Sequence, residues 1–373
     1  MVPGNAKSRF LPRHGEVSGR VSINGRFLTR VVHTGVDRFG IELLRDWLPR
    51  YGAARDARII APAGSAASLT GFQAPATCGG RFSGHLWEQL ELPGLSGSDL
   101  LINLCNTAPA LLQRQLVVLH DANVVANPWV YSAAFRTWYR CLFACLMRRA
   151  VVVATVSKFS ASELMKHVGG RSQGIEIIYE SGEHVLRVAP QPDVLRRLGI
   201  ADKRYVLAVG SRSPNKNFAG VVGAASMLQC LDVKIVLAGG SDKRIFAGAP
   251  LDLENVVLAG YVTDGELRAL YQSAECFLYP SFYEGFGLPP LEAMHCGCPV
   301  IVSRRASLPE VCGTAARYCD PDDHSDIARQ IAAVLASAGL RQELAQAGLQ
   351  QAAKFTWRDA SNQLEDIFAR TLI

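Results

Sequence analysis

The chain has 373 residues, 49% of them hydrophobic, with 39 Lys and Arg against 33 Asp and Glu and a formal charge of +6. That length and apolar share predict about two domains with sizeable cores, and no uninterrupted apolar run reaches the roughly 18 residues of a membrane-spanning helix. Residues 1–190 hold 21 basic and 13 acidic side chains, a local +8, while the remainder is −2. A basic first half suits a phosphate-bearing ligand or an anionic membrane. With no zinc finger, RNA-binding aromatic signature or long basic run, nucleic acid is not expected as a partner.

Residues 1–19 are polar and basic without an apolar signal core, so they read as a flexible lead-in to a cytoplasmic protein. RVSING (20–25) reads as a strand. In GRFLTRVVHTGVDRFG, Thr34, Gly35 and Val36 form a small-residue loop that lets a ligand approach the backbone. The segment 35–52 reads as a helix with an apolar stripe of Phe39, Leu43, Leu44, Trp47 and Leu48. ARIIAPA, DLLINLC, QLVVLHD and AVVVATVS are short apolar runs with the marks of buried parallel strands. His120 and Asp121 end the third of these; a histidine there can hydrogen-bond a hydroxyl or carry a proton, or simply be structural.

From Ala133 to Ala150, aromatic and aliphatic residues alternate with four arginines. One reading is an interfacial helix on anionic lipid; the other is a core helix whose arginines reach out to water.

The first domain is expected over 20–190. The boundary falls in 187–204, around Pro190 and Pro192, with the linker proper at 191–204. RYVLAVGS, VKIVLAGG, NVVLAGYV, CFLYPS and CPVIVS then give a second strand array in a domain over 205–355. Helices are expected at 219–228, 264–273, 290–296 and 325–347, and a terminal helix at 356–373 crosses back to the first domain. Ten cysteines show no CxxC pair, so neither a zinc site nor a secreted disulfide frame is expected, and the thiols read as buried and free.

Two serial βα arrays predict an α/β chain of two doubly wound sheets facing across a cleft, with ligands beyond the carboxyl ends of the strands. After YVLAVG, Gly210 admits a close approach, and Lys216 stands at a helix start where a positive side chain beside a positive helix end suits an anion. After CFLYPS comes EGFGLPPLE. Gly285 and Gly287 let a loop present N–H groups, Pro289 or Pro290 suits a first helical turn, and the helix start adds free donors. Glu284 and Glu292 flank this seat. Carboxylates repel phosphate but accept from hydroxyls, so the layout matches ribose hydroxyls, diphosphate and sugar hydroxyls in series. No GxGxxG fingerprint follows the first strand, which disfavours an oxidoreductase.

Together these residues resemble glycosyltransferase family 4, the retaining nucleotide-sugar enzymes of the GT-B fold, from about Arg20 to Leu372. The Glu-x7-Glu motif of Glu284 and Glu292 is the most specific element. VGSRSPNKN is similar to the family's phosphate loop, LHD to its first-domain histidine segment, and AGYV to the segment that meets the base. ATVSKFSASEL (154–164) and SLPEVCG with Glu310 also fit. TGVDRF resembles the opening of bacterial polysaccharide enzymes, many of them mannosyltransferases.

The resemblance implies that His120 lies beside the donor sugar and that Glu284 approaches it. Lys216, Arg212 and the amides of Gly285, Phe286 and Gly287 would steady the departing diphosphate. Gly210, Ser211 and Leu288 would line the donor site. Glu292 would hold the ribose, and Gly260, Tyr261 and Val262 would meet the base. Thr34, Gly35, Val36 and Asp121 would lie on the acceptor side. No metal or cofactor is implied, and the lone Asp-x-Asp at Asp320 and Asp322 is explained by turn formation.

The expected partners are a nucleotide-sugar donor, GDP-mannose in the first instance, and a lipid-linked oligosaccharide acceptor at the inner face of the cell membrane. A UDP-sugar donor, a GT-B epimerase and a non-catalytic sugar-nucleotide-binding relative are the alternatives. The chain departs from the family in having Ser211 where some relatives have arginine. It also has YESGEH (179–184) where the first domain usually ends in PNG.

Overall fold

The computed structural model describes residues 19–30, 33–65, 69, 71–210, 213–239 and 254–371. The lead-in through residue 18, Ser211 and Arg212 lie outside the described residues. Seven strands make the first sheet: β1 (Val21–Asn24), β2 (Arg58–Pro62), β3 (Ala76–Gly79), β4 (Leu100–Asn103), β5 (Gln115–Val118), β6 (Val152–Thr155) and β7 (Glu176–Ile177). Six make the second: β8 (Tyr205–Gly210), β9 (Lys234–Gly239), β10 (Val256–Gly260), β11 (Cys276–Tyr279), β12 (Val300–Ser303) and β13 (Arg317–Cys319).

The orders are β3-β2-β1-β4-β5-β6-β7 and β10-β9-β8-β11-β12-β13, with every paired strand parallel. Each order reverses once, between β1 and β4 and between β8 and β11. A doubly wound sheet opens a crevice at such a reversal.

The continuous apolar runs of the sequence became central strands because both faces of each sheet are covered by helices. Three strands escaped the hydrophobic pattern. β3 is ATCG on an exposed edge, β7 has two residues, and β13 is RYC. The helix expected over 325–347 is two helices, His324–Ala336 and Ala338–Ala352. Ser337 breaks it: its backbone is extended and its hydroxyl accepts from the Leu340 N–H at 3.1 Å, a cap that competes with continuing the helix.

In the helix Gly35–Trp47, Phe39, Leu43, Leu44 and Trp47 are all fully buried, each contributing about 1.5–3 kcal/mol. The last helix, Trp357–Thr371, lies against it. The Trp47 and Phe368 rings meet at 5.5 Å, and Glu365 accepts from Trp47 and Arg55. The chain's end is thereby packed on the first domain. The segment expected as linker is itself built in: Asp193–Arg197 is helical, and Val194 and Ile200 are buried.

Five cysteines are buried, but Cys78, Cys141 and Cys230 are exposed. The expectation of buried thiols therefore fails at these three, of which Cys141 lies where the helix Ala133–Arg149 turns a face to solvent. That helix divides between the two readings made of it. Leu142, Phe143, Leu146 and Met147 are buried, whereas Phe135 and Trp138 are exposed.

Candidate active site

The second sheet's reversal brings together segments 68 residues apart in sequence. The turn Pro214–Lys216 follows β8, and Glu284 follows β11. Lys216 Nζ lies 2.8 and 2.9 Å from the two Glu284 carboxylate oxygens and donates to the Tyr279 hydroxyl at 2.7 Å. Burial works against the ammonium, but Glu284 and Tyr279 outweigh it and hold Lys216 well above the ordinary lysine range. The family resemblance implies separate contacts, Lys216 on diphosphate and Glu284 on sugar. The structure makes them one partly buried ion pair, because adjacent central strands deliver both.

Asn217 makes the turn possible by adopting a left-handed backbone (φ 54°), which asparagine tolerates. Its side chain caps the Gly220 N–H at 3.0 Å, starting the helix Phe218–Met227. At the sheet itself, a Cβ on Gly239 would stand 2.0 Å from the Gly210 carbonyl oxygen, so these two strand ends meet backbone to backbone.

Beside the ion pair lies the glycine loop. Its three carbonyls are all held by serine hydroxyls. Ser307 donates to Glu284 O at 3.0 Å and Phe286 O at 2.6 Å, while Ser157 and Ser160 donate to Gly285 O at 2.6 and 2.9 Å. The N–H groups of Gly285, Phe286 and Gly287 have no acceptor among the described residues, although all three residues are buried. Buried N–H groups without partners are rare and costly. Gly287 (φ 117°) then caps the helix Leu288–His295, with proline in its first turn. Such a loop can seat an anion. Phe286 contributes backbone only, since its ring packs against Tyr179 and Phe355. Leu288 is buried and faces the first domain, 3.8 Å from where a Cβ on Gly35 would be.

Glu292 is spoken for on both oxygens, by His184 Nε2 at 3.0 Å and the Tyr271 hydroxyl at 3.0 Å. Burial would raise its carboxyl, but these two partners lower it below the usual range. A ribose would have to share this carboxylate rather than find it free.

His120 departs most from expectation. Its Nε2 stands 2.9 Å from the Leu104 carbonyl, which can only accept, so Nε2 carries a proton. Its Nδ1 is 3.1 Å from Glu180, whose carboxyl is pushed up by burial, with His120 opposing. The ring is buried edge-on against Phe39 at 4.8 Å. Neither nitrogen is left for a sugar, and it is the His120 carbonyl that abuts Gly285. Asp121, one residue on, accepts only the Asn123 N–H at 2.8 Å among the described residues, and burial raises its carboxyl.

Thr34, expected on the acceptor side, is occupied with capping: its hydroxyl donates to Asp37 at 2.9 Å and accepts the Asp37 N–H. Val36 packs against the core, which leaves Gly35 facing the cleft. Where the base is expected, Gly260 has φ 66° and Tyr261 is exposed beside a cavity of about 520 Å³. His33, Arg38, Gln191, Thr263 and Asp264 also line it. Arg38 crosses the cleft to Asp264 at 2.7 and 2.8 Å. Val262 turns into the core. Asp320 and Asp322 sit in a turn beside Arg305.

Sequence reasoning missed Glu180 and His184, both from YESGEH. This loop replaces the family's usual one, so no role could be carried onto it. The available signal was its content, two carboxylates, a glycine and an imidazole in six residues. Gly182 allows the fit, since a Cβ there would lie 2.6 Å from the Glu292 nitrogen. Also missed was the contact made by Glu310, which takes the Lys158 and Phe159 N–H groups at 2.8 and 3.0 Å across the cleft.

Two parallel doubly wound sheets facing one another define the GT-B class. Solved structures of similar fold include sucrose-phosphate synthase from Thermosynechococcus elongatus. It has TM-score 0.73 and 18% identity, covering 94% of this chain and 98% of that one. Another is Anabaena HepE with UDP and glucose, with TM-score 0.72 and 17% identity, covering 94% and 99%.

The family model for glycosyl transferases group 1 matches residues 191–351. O-antigen chain mannosyltransferase B of Escherichia coli is 32% identical over 268 residues, covering 68% of this chain and 70% of that protein. O-antigen chain mannosyltransferase RfbU of Salmonella typhimurium is 29% identical, covering 64% and 65%. The serotype-specific mannosyltransferase WbdA of Escherichia coli is 29% identical over 69% of this chain, which spans only 34% of WbdA's length. The chain belongs to the group 1 glycosyltransferases, and its similarity is to bacterial polysaccharide mannosyltransferases.

Proposed function

We propose that this enzyme transfers mannose from GDP-mannose, with retention of configuration, to a lipid-linked oligosaccharide in O-antigen or exopolysaccharide assembly. The observation that carries the reading is the run of three buried N–H groups at Gly285–Gly287 beside the Lys216 ammonium. N–H donors without an acceptor among the described residues, beside an ammonium whose carboxylate partner can give way, suit a diphosphate leaving group. The mannosyl donor is supported by the relatives named above.

In this reading the bond from the anomeric carbon to the phosphate oxygen breaks while the acceptor oxygen bonds the same face. The acceptor proton passes to the departing phosphate. Lys216 moves from Glu284 toward that phosphate as its charge grows, freeing Glu284 for a sugar hydroxyl. Glu292 takes a ribose hydroxyl beside His184, and Asp121, rather than the His120 ring, meets the incoming acceptor or sugar. Charge neutralisation is assigned to Lys216 and the seat, without a resident metal or cofactor.

We place the enzyme at the cytoplasmic face of the membrane, in contact with anionic lipid. No helix among the described residues is long and apolar enough to cross a bilayer. Support for peripheral contact comes from Phe82, Leu86, Leu90, Phe135 and Trp138, all exposed on two adjoining helices and the loop before them. Those helices meet where His85 packs on Trp138 at 5.7 Å. Binding to anionic vesicles that weakens with salt is the expected result; absence of flotation at low salt removes this element.

The first test is a thermal-shift screen of GDP, UDP, ADP and their sugar conjugates, followed by transfer assays on each hit. Selective stabilisation by GDP and GDP-mannose is expected. Selective stabilisation by UDP species overturns mannose, and product from donor alone would turn the assignment to an epimerase.

A further inference from the structure

The glycine loop belongs to the second domain, yet one of its three carbonyls is held from the first. Ser157 and Ser160 stand at the start of the helix Lys158–His167, after β6. Both are fully buried, and both hydroxyls converge on the Gly285 carbonyl at 2.6 and 2.9 Å. The second domain's own Ser307 holds the carbonyls on either side. A peptide's N–H points opposite to its C=O. Fixing three successive carbonyls on the protein side therefore sets where the free N–H groups aim.

The same interface closes a second time in the reverse sense. Glu310 of the second domain caps the N–H groups of Lys158 and Phe159 and accepts from Tyr179 at 3.1 Å. Each domain thus holds the other's loop or helix end at one place, next to the anion seat.

We propose that Ser157 and Ser160 are positioning residues that complete the anion seat only when the two domains are together. The inference rests on the glycosyltransferase reading above. With the second domain alone, Ser307 holds two carbonyls and the Gly285 peptide is free to turn. Bringing the first domain in fixes it, so the seat is fully aimed only when the acceptor side is also in place. Nucleotide binding, which also draws on contacts to base and ribose, depends on these serines less. Turnover, which needs the donors aimed at charge on the leaving phosphate, depends on them strongly.

The test must separate this role from helix capping, because the Ser157 hydroxyl also accepts the Ser160 N–H at 3.0 Å. Glycine is nearly as good a cap as serine but has no proton to donate. In the full chain, Ser157→Gly combined with Ser160→Ala is expected to lower kcat by about 10–100-fold while weakening GDP binding by a smaller factor. Ser157→Thr, which keeps the hydroxyl, is expected to retain wild-type kcat. Amide hydrogen exchange of residues 284–288 should quicken in the double variant.

Wild-type kcat in a folded double variant overturns the proposal, and so does a loss that falls wholly on GDP affinity. A wild-type enzyme that transfers sugar from no nucleotide donor sinks the parent reading instead. Exchange at residues 284–288 then still decides the clamp, with an unchanged rate counting against it.

Discussion

Glu284 and Glu292 stand eight positions apart, both are largely buried, and each has a basic partner, yet they are different devices. Glu284 faces a lysine held charged well above the ordinary range. Its pair is a stored charge that an anion can draw out of balance. Glu292 faces an imidazole from a loop of the other domain and a phenol from its own, and their hydrogen bonds hold its carboxylate charged. The first device lies within one domain and is suited to chemistry. The second spans two domains and is suited to binding that senses how they meet.

Breaking the Lys216–Glu284 pair should have the largest effect. Lys216→Ala is expected to cut transfer by about 10²–10³-fold. It should also cost about 3 kcal/mol of stability, because Glu284 is left buried and unpaired. Lys216→Met together with Glu284→Gln should recover most of the stability and none of the activity, measured by denaturant titration and kcat. Equal recovery of both would mean that the pair is structural only.

Glu292→Gln should weaken GDP binding about 10-fold, the ~1.4 kcal/mol of one compromised hydrogen-bonded contact, with a smaller change in kcat.

Stability against pH separates the two pairs further. The folded Glu292 carboxyl lies below its unfolded value of about 4.3. Its contribution is complete above that value and is lost as pH falls through the folded one. Glu292→Gln should therefore flatten the acid limb of the urea midpoint. Lys216 is raised, so its contribution is complete below the unfolded value of about 10.4 and is lost as pH rises through the folded one. Lys216→Met should flatten the alkaline limb.

The smallest effect is expected at Asp121, whose carboxyl is raised chiefly by burial. Being charged there costs stability at neutral pH, so Asp121→Asn should raise Tm by about 1–2 °C while slowing transfer. A lower Tm would show that the carboxylate has a stabilising partner.

Much of the second domain was legible because its chemistry sits in contiguous runs. Gly285, Gly287, Glu292 and the proline-led helix start follow one strand, and Lys216 follows another. The first domain was less legible. His120 was found by its place after β5, but not the turning of its ring onto Glu180, because the loop that supplies Glu180 is distant in sequence and departs from the family's motif. Thr34 was found as a ligand-side residue and proved to be a cap, since a threonine before a helix serves either end by the same pattern.

Local pattern by itself determined the central strands of both sheets, the main helices and the glycine loop before a proline-led helix, because strand apolarity, glycine freedom and helix starts are short-range properties of the chain. Only the tertiary structure decided which groups pair: Lys216 with Glu284, His120 with Glu180, Glu292 with His184, and Gly285 with Ser157 and Ser160. Those pairings depend on strand order and on how the two domains meet, and a hydrogen bond of about 3 Å between residues some 60 to 130 positions apart leaves no periodicity along the sequence.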